Sequence, residues 1–148
     1  MELSGIVEFF DVLVGYEVAL WSAIDGELTR HGAISLGQLH ALRVVDRYDG
    51  LARVQDLSEA IGITVGAASK LVDRLERDGL AARGPNPANR RSSLIALTPA
   101  GEHALAAAIQ VFAHALSRAL ADEDVEATTA TLRRLQTRLG EPSPGVAV

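Results

Sequence analysis

The sequence predicts a mainly α-helical fold with one small β-hairpin. Three observations predict it. Apolar residues recur at helical spacing along most of the chain. Two short helical stretches meet at a tight turn around Gly62. A segment rich in Gly, Pro, Asn and Ser separates two short strand-like runs. At 148 residues, 48% of them hydrophobic, the chain suits one domain with a real core and is too apolar for wholesale disorder.

The elements follow in order. Leu3, Ile6, Val7, Phe10, Leu13, Val14, Leu20, Trp21, Ile24 and Leu28 mark a long first helix, which ends near His31-Gly32 at a glycine cap. Its apolar positions spread over more than one face, more than a small lobe covers, which points to a partner chain. Ser35 with Gln38 reads as a capping box for a second helix that turns Leu36, Leu39, Leu42 and Val45 inward and stops at Asp49-Gly50. Leu51 to Arg53 is short and extended. A helix over Val54 to Ile61 breaks at Gly62, and Thr64 caps the next, which runs to Asp78 and ends at Gly79. Leu80 to Arg83 and Leu94 to Leu97 are the two strands of a hairpin with a long tip. Thr98-Pro99 starts a long helix to about Leu120, with Leu105, Ile109, Phe112 and Leu116 on one stripe. Asp122, Glu123 and Asp124 are expected as the acidic first turn of a last helix carrying Val125, Leu132, Leu135 and Leu139. Residues 141–148 are expected to fray.

Charge is unevenly placed. The net charge is −5, awkward for a nucleic-acid binder. Residues 1–42 carry six acids against Arg30, whereas residues 43–91 carry nine bases against seven acids. Only the middle is basic, so an acidic body with a basic waist can orient on DNA. The absence of cysteine excludes disulfides, thiolate metal sites and thiol redox switching. No apolar run reaches the ~20 residues of a membrane span, and no secretory signal is visible, so the expected location is the cytoplasm. No cysteine nucleophile, Gly-rich phosphate loop, His-Glu metal helix or nucleophile elbow is present, so an enzyme is not expected.

On a helical wheel of residues 64–78, Val65, Ala68, Leu71, Val72 and Leu75 form the buried side. Gly66, Ala67, Lys70, Asp73, Arg74 and Arg77 face the other way, with Ser69 at the boundary. In a helix-turn-helix, the first residues of the second helix touch base edges. Gly66 and Ala67 allow close approach, Ser69 and Lys70 supply hydrogen bonds, and Thr64 with the free amides beside it suits a phosphate oxygen. Any soluble amphipathic helix also has a charged outer face. The hairpin tip favours the DNA reading: Arg90 and Arg91 stand together on a thin loop, the shape that enters a minor groove.

Leu75-Glu76-Arg77-Asp78-Gly79-Leu80, then Arg83, Pro87, Asn89-Arg90-Arg91 and Leu97-Thr98-Pro99-Ala100-Gly101 resembles the signature of the MarR (multiple antibiotic resistance regulator) family. Asp56 to Thr64 resembles that family's first helix and turn, and the best-matched stretch is roughly residues 54–105. The resemblance implies a winged helix-turn-helix lobe over about residues 35–98. Residues 1–31 and 99–140 would be dimerisation helices, and the dimer would be triangular. It implies a ligand-responsive transcriptional repressor acting as a homodimer on a palindromic double-stranded operator. Arg91 would be the minor-groove residue, and Ser69 and Lys70 would face the major groove. Asn89 stands where the family usually has an aspartate paired with a wing-holding arginine; this departure leaves the wing either looser or less repelled by phosphate.

The resemblance also implies a small aromatic or anionic effector, bound where the dimerisation helices meet the DNA-binding lobe. Tyr16, Trp21, His40 and Arg43 are the candidates to line its pocket, although a tryptophan on an apolar helix is usually core. His103 and His114 are ~16 Å apart along one helix, too far to share a metal, and neither a metal nor a cofactor is expected. The alternative to a DNA regulator is a small-molecule or protein-binding module that keeps the fold without DNA binding, which the acidic balance fits.

Overall fold

The structure, a computed structural model, describes residues 2–140. The tail expected over 141–148 lies outside them. Eight elements run in the order α1 (Leu3–Arg30), α2 (Leu36–Arg47), α3 (Val54–Ile61), α4 (Val65–Arg77), β1 (Ala81–Pro85), β2 (Ser93–Leu97), α5 (Pro99–Ala119) and α6 (Val125–Arg138). None of these helices is long and apolar enough to cross a membrane.

Helix α2 is the hub, packing on α1, α3, α4, α5 and β2. Its expected apolar stripe is buried, and so are Ala41 and Val44, because neighbours cover it on several sides. The capping box is present: Ser35 Oγ accepts from the Gln38 N–H at 3.2 Å, and Gln38 Oε1 accepts from the Ser35 N–H at 3.1 Å. Asp25 of α1 adds a second cap, accepting from the Leu36 N–H at 2.7 Å. The core around α2 contains Leu28, Leu57, Val72, Leu75 and Ile95, all fully buried.

Helix α3 begins with a tight ion pair. The buried Asp56 accepts from the Arg53 backbone N–H at 2.8 Å, from Arg53 Nε at 3.0 Å and from Arg53 Nη2 at 2.9 Å. Hydrogen bonding to Arg53 outweighs burial and holds the Asp56 carboxyl below the usual carboxylate range. A depressed folded pKa stabilises the fold above the unfolded value of ~3.9, and that stability is lost as pH falls through the folded pKa. Asp56→Asn should therefore be less stable than wild type at neutral pH, and the gap between their melting temperatures should close below about pH 4. Melting curves from pH 7 to pH 2 check this; a gap independent of pH would refute it.

Helix α5 starts as its sequence predicts, with Pro99 in its first turn and Thr98 Oγ1 accepting from the Gly101 N–H at 3.0 Å. The same hydroxyl donates to the Gly79 carbonyl at 2.5 Å, and the Thr98 N–H donates to the Leu80 carbonyl at 3.1 Å. The helix start is thereby stitched to the turn after α4. The acidic run does not form the first turn of α6. Asp122 adopts a left-handed φ of 65°, Asp124 is the N-cap, accepting from the Ala127 N–H at 2.9 Å, and only Glu126 lies in the first turn. A capping carboxylate meets the free amides more directly than one inside the turn.

The two terminal helices behave unlike the rest. Only Ile24 and Leu28 of α1 are buried, and no residue of α6 is. Leu3, Val7, Phe10, Val14, Val18 and Trp21 form an exposed stripe along α1, with Phe10 and Val18 each 64% exposed. Val125 and Leu132 of α6, and Leu139 at its C-cap, are exposed as well. A helix of 14 residues with none fully buried is at the margin of stability in water.

Candidate nucleic-acid interface

Helix α4 follows α3 through a turn held by Ser58, whose Oγ donates to the Ile63 carbonyl at 2.6 Å. Thr64 caps α4 as expected, Oγ1 accepting from the Ala67 N–H at 3.1 Å. Ala68, Leu71, Val72 and Leu75 are buried. Val65, expected with them, is 49% exposed: it is the first helical residue, beyond the edge of the core. Gly66, Ala67, Lys70 and Arg74 are exposed with Thr64, and Ser69 is half-buried at the boundary. The helix ends in a Schellman turn: Gly79 has φ 73°, its N–H donates to the Glu76 carbonyl at 3.0 Å, and the Leu80 N–H donates to the Leu75 carbonyl at 2.8 Å. This turn aims the chain into β1.

Strands β1 and β2 pair antiparallel, from Ala81 opposite Leu97 to Pro85 opposite Ser93. Strand β1 starts one residue later than expected because Leu80 completes the helix cap, and it runs on to Pro85. The extended Leu51–Arg53 segment supplies a third edge, with the Ile95 N–H donating to the Ala52 carbonyl at 2.7 Å. At the tip, Asn86 Oδ1 accepts from the Ala88 N–H at 3.0 Å and Asn86 Nδ2 donates to Ser92 Oγ at 2.9 Å. Asn89 Oδ1 accepts from the Arg91 N–H at 3.0 Å. Asn89 thus shapes the loop locally and, among the described residues, bonds to no arginine side chain. Arg90 and Arg91 are exposed, and neither side chain makes an ion pair among the described residues.

Arg83 has a role that sequence reading missed. From β1 its Nη1 donates to Asp73 Oδ1 at 2.7 Å and to Glu76 Oε1, and its backbone N–H donates to Glu76 Oε2 at 3.3 Å. Burial opposes the Arg83 charge, but the bonds to Asp73 and Glu76 prevail and raise its pKa. This pairing joins the base of the hairpin to α4. The available signal was Asp73 and Glu76 three residues apart, on one helix edge just before the strand.

Three of the four candidate effector residues meet. Trp21, His40 and Arg43 line a cavity of about 340 Å³ between α1, α2 and α5, with Glu17, Phe112 and Leu116. The Arg43 guanidinium lies over the Phe112 ring, 5.7 Å from its centroid. Burial, then Arg43 and Arg47, lower the His40 pKa, which keeps the ring neutral at neutral pH. Tyr16 does not belong with them. It faces a different groove, between α1 and α6, with Phe9, Val12 and Leu132. Tyr16 lies five residues before Trp21, which turns it well away from the Trp21 side of α1. Among the described residues, no three His, Asp or Glu side chains gather as a metal site.

A helix-turn-helix followed by a β-hairpin, set between long terminal helices, defines a winged helix-turn-helix protein. Residues 33–92 match the sequence model described as the MarR family. No curated protein matches the chain by sequence. Among solved structures, the fold is similar to the transcriptional regulator BldR from Sulfolobus solfataricus (TM-score 0.82, 20% identity, 93% of this chain and 99% of that one). It is similar to a mutant of E. coli MarR complexed with operator DNA (TM-score 0.78, 19% identity, 94% and 99%). A third is CouR from Rhodococcus jostii bound to p-coumaroyl-CoA (TM-score 0.75, 23% identity, 93% and 94%). Residues 33–92 are thus similar in sequence to the MarR family, and the chain as a whole is similar in fold to these solved structures.

Proposed function

We propose that this protein is a cytoplasmic, sequence-specific transcriptional regulator, a repressor that binds a palindromic double-stranded operator as a homodimer. The observation that carries this reading is a set of exposed bases with no ion pair among the described residues: Lys70 and Arg74 on α4, Arg90 and Arg91 on the wing tip. Clustered on one recognition helix and the adjoining tip, they remain available for phosphates and base edges. Thr64, Gly66, Ala67 and Ser69 sit at the N-terminal end of α4, where a recognition helix meets bases. Domain roles follow: α1, α5 and α6 dimerise, and residues 35–98 bind DNA. The E. coli MarR mutant was solved on operator DNA, which agrees with this reading.

Dimerisation is supported by the uncovered stripe of α1 and by α6, none of whose residues is fully buried in its own chain. A second copy presents the same two helices and can cover both. A twofold dimer then sets two recognition helices about one helical turn of DNA apart, ~10 bp. The effector is a small aromatic or anionic molecule in the Trp21–His40–Arg43 cavity, whose apolar walls suit a ring and whose arginine suits a negative group. CouR, similar in fold, was solved bound to p-coumaroyl-CoA.

Arg91→Ala should weaken binding to the DNA upstream of its own gene by about ten- to a hundredfold, the scale of one to two good groove contacts. The melting temperature should stay unchanged, since the Arg91 side chain is exposed at the tip. A gel shift with equal affinity for the two proteins would remove the wing from the interface.

A further inference from the structure

Between Thr64 and Gly101 the chain has three carboxylates, Asp73, Glu76 and Asp78, and no acidic residue follows Asp78 until after Gly101. All three are engaged. Gln38 Nε2 donates to Asp78 Oδ2 at 2.8 Å, and Arg77 lies 3.8 Å from the same side chain. Asp73 and Glu76 share Arg83. Asp73 is 62% exposed and stands on the outward side of α4 between Lys70 and Arg74. Two bare carboxylates three residues apart, on the C-terminal half of a helix, repel each other and the helix dipole. Facing a duplex they would also repel its phosphates.

Arg83 is placed to cancel that repulsion rather than to grip DNA. Its side chain is only 24% exposed. Its Nη1 is shared by both carboxylates and its Nη2 reaches toward the Ser69 carbonyl at 3.4 Å. The head is turned onto α4, whereas Arg90 and Arg91 project from the tip. We propose that Arg83 is an internal counter-ion of the DNA-reading face: it masks Asp73 and Glu76 so that α4 can approach a phosphate backbone. This rests on the DNA-binding reading above and adds to it a specificity-neutral residue that sets the charge of the interface.

The test uses four full-length proteins: wild type, Arg83→Gln, Asp73→Asn with Glu76→Gln, and the triple variant. One duplex, selected from random sequence on the wild-type protein, serves for all, with binding read by fluorescence anisotropy at fixed salt. Arg83→Gln exposes both carboxylates and should bind about tenfold more weakly. The triple variant keeps amide hydrogen-bonding groups but no charges, and should recover to within about threefold of wild type. The double variant, which frees Arg83 from its anions, should bind at least as tightly as wild type. If the triple variant stays as weak as Arg83→Gln, then Arg83 grips DNA or holds the wing, and masking is wrong. Unchanged affinity of Arg83→Gln also overturns it. Should Arg83→Gln melt before it can be assayed, the double variant decides: weaker binding than wild type overturns the proposal. Selection that recovers no DNA on wild type overturns the DNA-binding reading itself, a result distinct from the others.

Discussion

Replacing Phe10 and Val14 with aspartate is expected to leave a folded monomer that no longer binds its operator. Both residues lie on the exposed stripe of α1, away from Ile24 and Leu28, the only buried residues of that helix. Their removal therefore takes nothing from the core of a single chain. In a dimer, each buried phenylalanine or valine contributes about 1.5–3 kcal/mol, and a carboxylate in its place adds a desolvation cost. Two such changes, repeated by symmetry, exceed about 6 kcal/mol, more than a ten-thousandfold loss of association. Size-exclusion chromatography with light scattering reads the mass, and helical circular dichroism reads the fold. A dimer of undiminished stability would show that α1 is not the interface. A monomer that still bound DNA with wild-type affinity would show that twofold symmetry is not used.

The second large effect is on folding. Gly101→Ala should destabilise the protein by about 3 kcal/mol or more, at the top of the range for overpacking, because the clash is backbone against backbone. A Cβ at this position would lie 1.8 Å from the Leu80 carbonyl oxygen and 2.8 Å from its carbon. That oxygen already accepts from the Thr98 N–H, so it cannot swing away without opening the joint between α4, β1 and α5. The ~1 kcal/mol by which alanine favours a helix over glycine is too small to compensate. Gly26→Ala in α1 is the control: a Cβ there meets nothing within 4 Å, and the change should be neutral or stabilising. Denaturant unfolding of the two variants against wild type is the measurement. Equal midpoints for Gly101→Ala and wild type would mean that the α5 start can slide off Leu80 at little cost.

Most of the fold was legible in the order of residues because its signals are local. The Ser35–Gln38 box, the Thr64 and Thr98 caps, Gly79 and the apolar stripe of α2 act within one or two turns of chain, and each stands where its pattern placed it. The exposed tip and the outward face of α4 were equally readable, since a helical wheel needs no tertiary information. Failures of local reading fell at element ends. Val65 keeps the apolar period yet lies past the rim of the core, and the acids before α6 cap that helix rather than enter it.

What folding alone decided are the meetings of distant residues. Periodicity says that α1 is apolar on more than one face, but only the placement of α2 and α5 put Trp21 in a cavity with His40 and Arg43 and left Tyr16 in another groove. No local rule says that Gly101 must pass within touching distance of Leu80, or that Arg83 must turn back onto Asp73 and Glu76 rather than outward. Helical and strand patterns report the direction of a side chain relative to its own axis. The distance to a neighbour depends on how whole elements pack, and close packing and ion pairing are set by distance.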